Sequence, residues 1–273
     1  YLLGTTAMRL AAERNAPIVF THHTFYEHYA HYVLDSEVLK GYVKRLAAGY
    51  ANLCDAVIAP SESVAEILRQ RGVTTRMEVI PTGADTAFFA QDDGARFRHR
   101  HGLPQEALVI GHVGRLAREK NLLFLARCIA RALSKESAAC ALVAGEGPMK
   151  AEMKSVFATE GVAARVHFVG VCVGRDLADA YHAMDVFAFA SKTETQGMVL
   201  AEAMAAGCPV VALDAPGARD IVRDGANGRV LRAEDVDAFA EALLWVARLP
   251  ERDRQRFRES AAARARDFDM ENC

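Results

Sequence analysis

The sequence predicts an α/β protein of two Rossmann-like, doubly wound lobes, the first of them incomplete. Short runs rich in β-branched residues alternate with segments of helical period from end to end. Six such runs follow one another between Leu108 and Leu231, enough for a complete doubly wound sheet. The first hundred residues offer only three, which is half of such a sheet.

In chain order, the first lobe is expected over 1–92, with strands at Ile18–Thr21, Ala56–Ala59 and Val79–Pro81. Between the last two runs a helix, with Ser63-x-x-Glu66 as its capping box, Val64, Ile67 and Leu68 on one face and Gly72 as its stop. The polar stretch Asp92–Pro104 is the expected linker. The second lobe is expected over 105–249, with strands near Leu108–Val113, Ala141–Ala144, Val166–Val169, Val186–Ala190, Pro209–Leu213 and Arg229–Leu231. Helical patterns at Leu122–Leu133, Leu177–Ala183 and Met198–Ala206 separate several of them, and Asn227-Gly228 marks the last turn. A helical segment is expected over 250–273. The chain begins at Tyr1 rather than Met, and the expectation is that an upstream segment supplies the strands the first lobe lacks.

Composition narrows the function classes. Of 273 residues, 51% are hydrophobic and 25% charged, which excludes disorder and collagen-like repeats. Lys plus Arg is 33 against 35 for Asp plus Glu, so no nucleic-acid partner is expected through bulk positive charge. The uncharged part of Ala203–Leu213 is too short to span a bilayer. Six scattered cysteines with no CxxC pair read as reduced thiols in a cytoplasmic protein.

Ligands of open α/β sheets bind at the carboxyl ends of the strands, so the loops there are read most closely. After the Leu108 strand comes Gly114-Arg115-Leu116-Ala117-Arg118-Glu119-Lys120: a glycine for close approach, cations, then a helix start. That suits a phosphate or diphosphate; the alternative is a solvated loop with an Arg–Glu pair. Gly145-Glu146-Gly147-Pro148 is a tight turn before a helix, and not a dinucleotide fingerprint. After the Val186 strand, Glu194 stands in a loop and Glu202 two turns into the following helix. A carboxylate before a helix can bind sugar hydroxyls, and the N–H groups of Gly197, Met198 and Val199 can hold an anion. Glu202 on a small, apolar face needs partners, which a ribose diol or a neighbouring backbone N–H would supply.

Together these segments, with Ala203-Met204-Ala205-Ala206-Gly207-Cys208-Pro209, Tyr181-His182-Ala183-Met184-Asp185-Val186 and Ile80-Pro81-Thr82-Gly83-Ala84-Asp85, resemble GT-B glycosyltransferases of family 4. The resemblance runs from about Pro17 to Leu249 in the expected order. It implies a retaining enzyme that moves a hexose from a nucleotide-sugar, a UDP-sugar foremost, to an acceptor hydroxyl. Arg115 and Lys120 would bind the diphosphate and Glu194 the sugar hydroxyls. Gly114, Gly145, Gly197, Met198 and Val199 would present backbone to the donor, Val171 would lie at the base, and Glu202 would hold the ribose. In Thr21-His22-His23-Thr24, His23 matches the family histidine beside the donor sugar, without being assigned as nucleophile or obligatory base. The family's upstream glycine-rich acceptor loop is absent and its C-terminal helix is cut short at Cys273, so this chain is expected to bind donor but to turn over poorly.

No cofactor or metal is expected to be required. His22, His23, His28 and His31 lack metal-site spacing, and Asp235-Val236-Asp237 and Asp267-Phe268-Asp269 follow no core strand. The aromatic run Phe25–Tyr32, with Lys40, Lys44 and Arg45 after it and together with Glu194-Thr195-Gln196-Gly197, resembles the branch that glucosylates diacylglycerol. It points to a lipid acceptor and to peripheral contact with the inner face of a membrane; packing of a helix is the alternative. Rival readings are a GT-B epimerase, a phosphorylase or a non-catalytic nucleotide-sugar-binding module.

Overall fold

The protein is described here from a computed structural model, which describes residues 2–27, 36–91 and 93–273. Internal contacts divide it into two units: Tyr1–Pro81 with Glu194–Gln196, and Thr82–Thr193 with Gly197–Cys273.

The first unit runs α1 (Leu2–Arg14), β1 (Val19–Thr21), α2 (Glu37–Ala51), β2 (Ala56–Ala59), α3 (Glu62–Gln70) and β3 (Met77–Val79). The strands are parallel in the order β1-β2-β3, with Val57 facing Phe20 on one side and Met77 on the other. The third strand sits two residues earlier than expected; Ile80 still donates its N–H to Ala59, but Pro81 has none to give. Val64 and Leu68 of α3 pack on Val57 and Ala59, and Gly72 follows the helix with φ +86°. The cap is not the expected Ser63, which lies inside the first turn. Ser61, still in extended conformation after β2, accepts from the N–H of Val64 at 3.3 Å.

The second unit begins with α4 (Thr86–Phe89) and α5 (Gly94–Arg100), then alternates β4 (Leu108–Val113), α6 (Leu122–Lys135), β5 (Ala139–Ala144), α7 (Lys150–Thr159), β6 (Val166–Gly170), α8 (Arg175–His182), β7 (Val186–Phe189), α9 (Met198–Ala205), β8 (Val210–Leu213) and β9 (Gly228–Leu231). Helices α10 (Val236–Ala247) and α11 (Glu251–Ala265) close it. All six strands are parallel in the order β6-β5-β4-β7-β8-β9. Strand β4 starts the sheet at its middle and the order reverses between β4 and β7, which makes that gap the topological switch point. One apolar layer lies on each face: Ile110, Leu125, Ile129 and Phe239 in one, Tyr181, Phe187, Leu200 and Met204 in the other.

The expected linker at Asp92–Pro104 instead carries helix α5. Phe97 of α5 is fully buried, Arg98 donates to Asp185 at 3.0 Å and to the Ala183 carbonyl at 2.9 Å, and Arg96 reaches the buried Asp179. A Cβ at Gly94 would lie 2.3 Å from the His182 carbonyl oxygen, so α5 sits directly on the end of α8. The division between units falls at Pro81, before the expected end at 92. In the two Asp-x-Asp strings, Asp235 caps α10 through the N–H of Ala238, and Asp269 accepts from Thr86.

Candidate functional site

In the second unit the loops after β4, β5, β6 and β7 all leave the carboxyl edge of one parallel sheet, and the loops after β4 and β7 flank the switch point. Glycines set how closely these loops approach. Gly145 has φ +142°, and a Cβ there would fall 1.9 Å from the Gly114 carbonyl oxygen; one at Gly147 would fall 2.3 Å from that of Leu116. Three backbone hydrogen bonds zip the turns together, Gly114 N–H to Ala144, Leu116 N–H to Glu146 and Gly145 N–H to Gly170.

Beyond Gly114 the chain carries Arg115 at the surface and Lys120 half-buried in a 3-10 turn. The Arg–Glu pair considered for this loop is present, between Arg115 and Glu119, but it is not solvated on the carboxylate side: the Glu119 side chain is 1% exposed. Its Oε2 has no hydrogen-bond partner among the described residues, and its backbone carbonyl accepts from Thr193 Oγ1 at 3.1 Å across the switch point. A buried carboxylate beside a guanidinium fixes the plane in which the remaining Arg115 N–H groups are offered.

Helix α9 opens at Gly197, whose φ of +71° and contacts with Leu200 and the Gly217 carbonyl leave no room for a side chain. Met198 and Val199 form its half-buried first turn, where N–H groups have no intrahelical acceptor. One turn further, Glu202 is half-buried and its Oε2 accepts from the Tyr181 hydroxyl at 2.8 Å. Burial raises the Glu202 carboxyl above its ordinary value, and the Tyr181 hydrogen bond opposes the rise. Val171, after β6, is 66% exposed beside Gly170. Gly114, Arg115, Lys120, Gly145, Val171, Gly197, Met198, Val199 and Glu202 thus all stand on the loops and helix starts of one sheet edge.

His23 and Glu194 belong to the first unit. His23 is exposed in the loop after β1, and its carbonyl accepts from Thr195 Oγ1 at 2.9 Å. Ser61, the cap of α3, donates to the Thr195 carbonyl at 2.9 Å, which fixes the tripeptide that carries the half-buried Glu194. His28 and His31 lie outside the described residues, as does most of the aromatic run.

Sequence reasoning missed His112. On β4 two residues before Gly114, it is 3% exposed, with Nδ1 3.1 Å from the Ala188 carbonyl and Nε2 without a partner among the described residues. Loss of hydration pushes its imidazole down to about 4, with Lys120 adding to the effect, so the ring is neutral and carries its proton on Nδ1. Sequence reasoning also gave no role to Tyr181, although it quoted the motif around it; only packing reveals where the hydroxyl points.

Comparison with known proteins identifies the family of the chain. The family model described as "Glycosyl transferases group 1" matches residues 107–248, and that described as "Glycosyltransferase Family 4" matches 1–88. The chain is 31% identical over 252 residues to an alpha-monoglucosyldiacylglycerol synthase of Streptococcus pneumoniae, covering 89% of this chain and 57% of that protein. It is 35% identical over 200 residues to a D-inositol 3-phosphate glycosyltransferase of Stackebrandtia nassauensis, covering 69% and 45%. The chain spans about half the length of the curated relatives it matches. Among solved structures, HepE of Anabaena in complex with UDP and glucose superposes with a TM-score of 0.82 at 24% identity, over 98% of this chain and 72% of that one. The fold class is the expected GT-B type.

Proposed function

Because the chain belongs to the glycosyltransferases of group 1, family 4, we propose that it moves a hexose from a nucleotide-sugar, a UDP-sugar, to an acceptor hydroxyl with retention. The observation that carries the reading is the sheet edge at the switch point, which brings together the cationic loop after β4 and the start of α9 with its half-buried Glu202. Two relatives named alpha-monoglucosyldiacylglycerol synthase and a neighbour in complex with UDP and glucose support it.

In this reading Arg115 and Lys120 bind the donor diphosphate and offset the charge that develops as the bond from the anomeric carbon to phosphate breaks. The N–H groups of Gly197, Met198 and Val199 add partial positive charge. Gly114 and Gly145 let the backbone approach, Glu202 holds the ribose and Val171 lies at the base. Glu194 grips the sugar hydroxyls and His23 donates to the sugar. The acceptor oxygen attacks the face the phosphate leaves, and its proton passes to the departing phosphate oxygen. With two cations and a helix start balancing the diphosphate, no metal or cofactor is required.

The acceptor in this reading is a lipid such as diacylglycerol. Helix α2 supports it: Val38, Tyr42 and Leu46, spaced one helical turn apart, are exposed, with Arg45 on the same face and Leu53 just beyond. Such a face suits peripheral contact with an anionic membrane at its cytoplasmic side. Among the described residues no helix is long and apolar enough to cross a membrane.

Isothermal titration tests the donor assignment. One of UDP, GDP or ADP should bind with micromolar-class affinity, and Lys120→Ala and Glu202→Ala should each weaken it by about 2 kcal/mol, roughly thirtyfold. No binding by any of the three would refute the reading. A donor screen against lipid, polyol and saccharide acceptors, read by mass spectrometry, then separates transferase from epimerase, which needs no acceptor, and from phosphorylase, which needs free phosphate.

A further inference from the structure

Tyr181 is fully buried, and its ring is held edge-on between Phe89 and Phe187, with centroids 5.9 and 5.7 Å away. A buried phenol keeps its proton and needs an acceptor. Burial drives the Tyr181 hydroxyl well above its ordinary value, and Glu202 adds to the rise, so it stays a donor at any working pH. Its acceptor is Glu202 Oε2 at 2.8 Å, the end of a carboxylate that burial would otherwise push towards protonation. A fixed donor on a clamped ring does two things to that carboxylate: it selects one orientation, and it favours the charged form.

We propose that Tyr181 is the positioning residue for nucleoside recognition: its hydroxyl pins Glu202 Oε2 so that Oε1 meets the ribose diol as an ionised acceptor. The inference rests on the reading of Glu202 as the ribose ligand. The pair has few other ionisable neighbours among the described residues: Cys208 after α9 and Cys172 after β6 face the tyrosine, and burial raises both thiols, so they stay uncharged near neutral pH. The nucleotide's own phosphate titration is common to both proteins, so the difference in acid limb between the wild type and Tyr181→Phe reports Glu202.

Tyr181→Phe keeps the ring and its two aromatic contacts and removes only the hydroxyl. Affinities for a nucleoside diphosphate and its 2′-deoxy form, using whichever of UDP, GDP or ADP binds best, are compared in the wild type, Tyr181→Phe and Glu202→Ala. In Tyr181→Phe the ribonucleotide should weaken about tenfold while the deoxy form stays within about twofold, so the 2′-hydroxyl preference collapses. Its binding should also fall off at higher pH than in the wild type, because the carboxylate has lost the bond that held its proton affinity down. If Tyr181 merely satisfies its own hydroxyl in the core, Tyr181→Phe retains the wild-type preference and the wild-type acid limb, and the proposal is overturned. A wild type that binds no nucleotide, or a preference untouched by Glu202→Ala, removes the ribose reading and this inference with it. Loss of the preference in Glu202→Ala but not in Tyr181→Phe removes the inference alone.

Discussion

Burial drives the imidazoles of His22 and His112 down to about 4, and at both the first cause is loss of hydration. At His22 the Arg71 guanidinium adds to it, and the rings of Phe20, Phe25 and Tyr26 surround the imidazole. The neighbouring His23, one residue on, is exposed. Two adjacent histidines therefore have opposite environments, and the sequence alone offers no means of telling them apart beyond the resemblance. In a ring-proton NMR titration of the folded protein, two histidines should remain neutral down to about pH 5, and substituting His22 or His112 should each remove one of those resonances. A folded-state titration of both near pH 6.5 would refute the burial argument. The same limit applied to Glu119: its place between Arg118 and Lys120 made a solvated pair the natural alternative, and only packing turned its side chain inward.

At the scale of elements, the strand-to-helix loops owe their geometry to glycine. Gly145→Ala would put a methyl into the Gly114 carbonyl at a positive φ, so it should cost about 3 kcal/mol in stability and weaken nucleotide binding as the two loops part. Thermal unfolding and titration would read both; an alanine variant with wild-type melting and affinity would contradict the close approach. Helix α5 makes a second test. Because Phe97 is buried in the second unit, Phe97→Ala should destabilise by about 3–5 kcal/mol, whereas a side chain on a linker would cost almost nothing. Strands β4 to β9 were legible because a parallel sheet covered on both faces demands near-continuous apolar runs. Helix α5 was not, because its buried face is one phenylalanine and a glycine in seven residues, too little apolar pattern to register against its arginines and histidine.

For the whole molecule, His22 stands in the first unit and His112 in the second, so both units respond to acid. The fold favours the neutral ring, and the unfolded chain takes up the extra proton between pH 6.5 and about 4; stability is full above pH 6.5 and falls as pH drops through that window, by up to about 3 kcal/mol per histidine. Urea unfolding at pH 7.5 and pH 5 should show that loss, and equal stability at the two would contradict it. The exposed face of α2 makes a separate prediction: vesicles with anionic lipid should carry the protein in flotation, neutral vesicles much less, and Val38→Glu with Tyr42→Glu should abolish the effect. Equal flotation with neutral vesicles would count against the charged component. What the sequence by itself determined was the class of fold, the order of the strands' appearance and the residue types at each strand end, since apolar period and glycine placement are local properties of the chain. Tertiary structure alone decided which strands are neighbours, that the order reverses between β4 and β7, and which polar groups are buried against which partners. Those depend on residues as far apart in sequence as Tyr181 and Glu202, or Glu119 and Thr193, and the hydrogen bonds joining them exist only once the sheet has brought its loops to one edge.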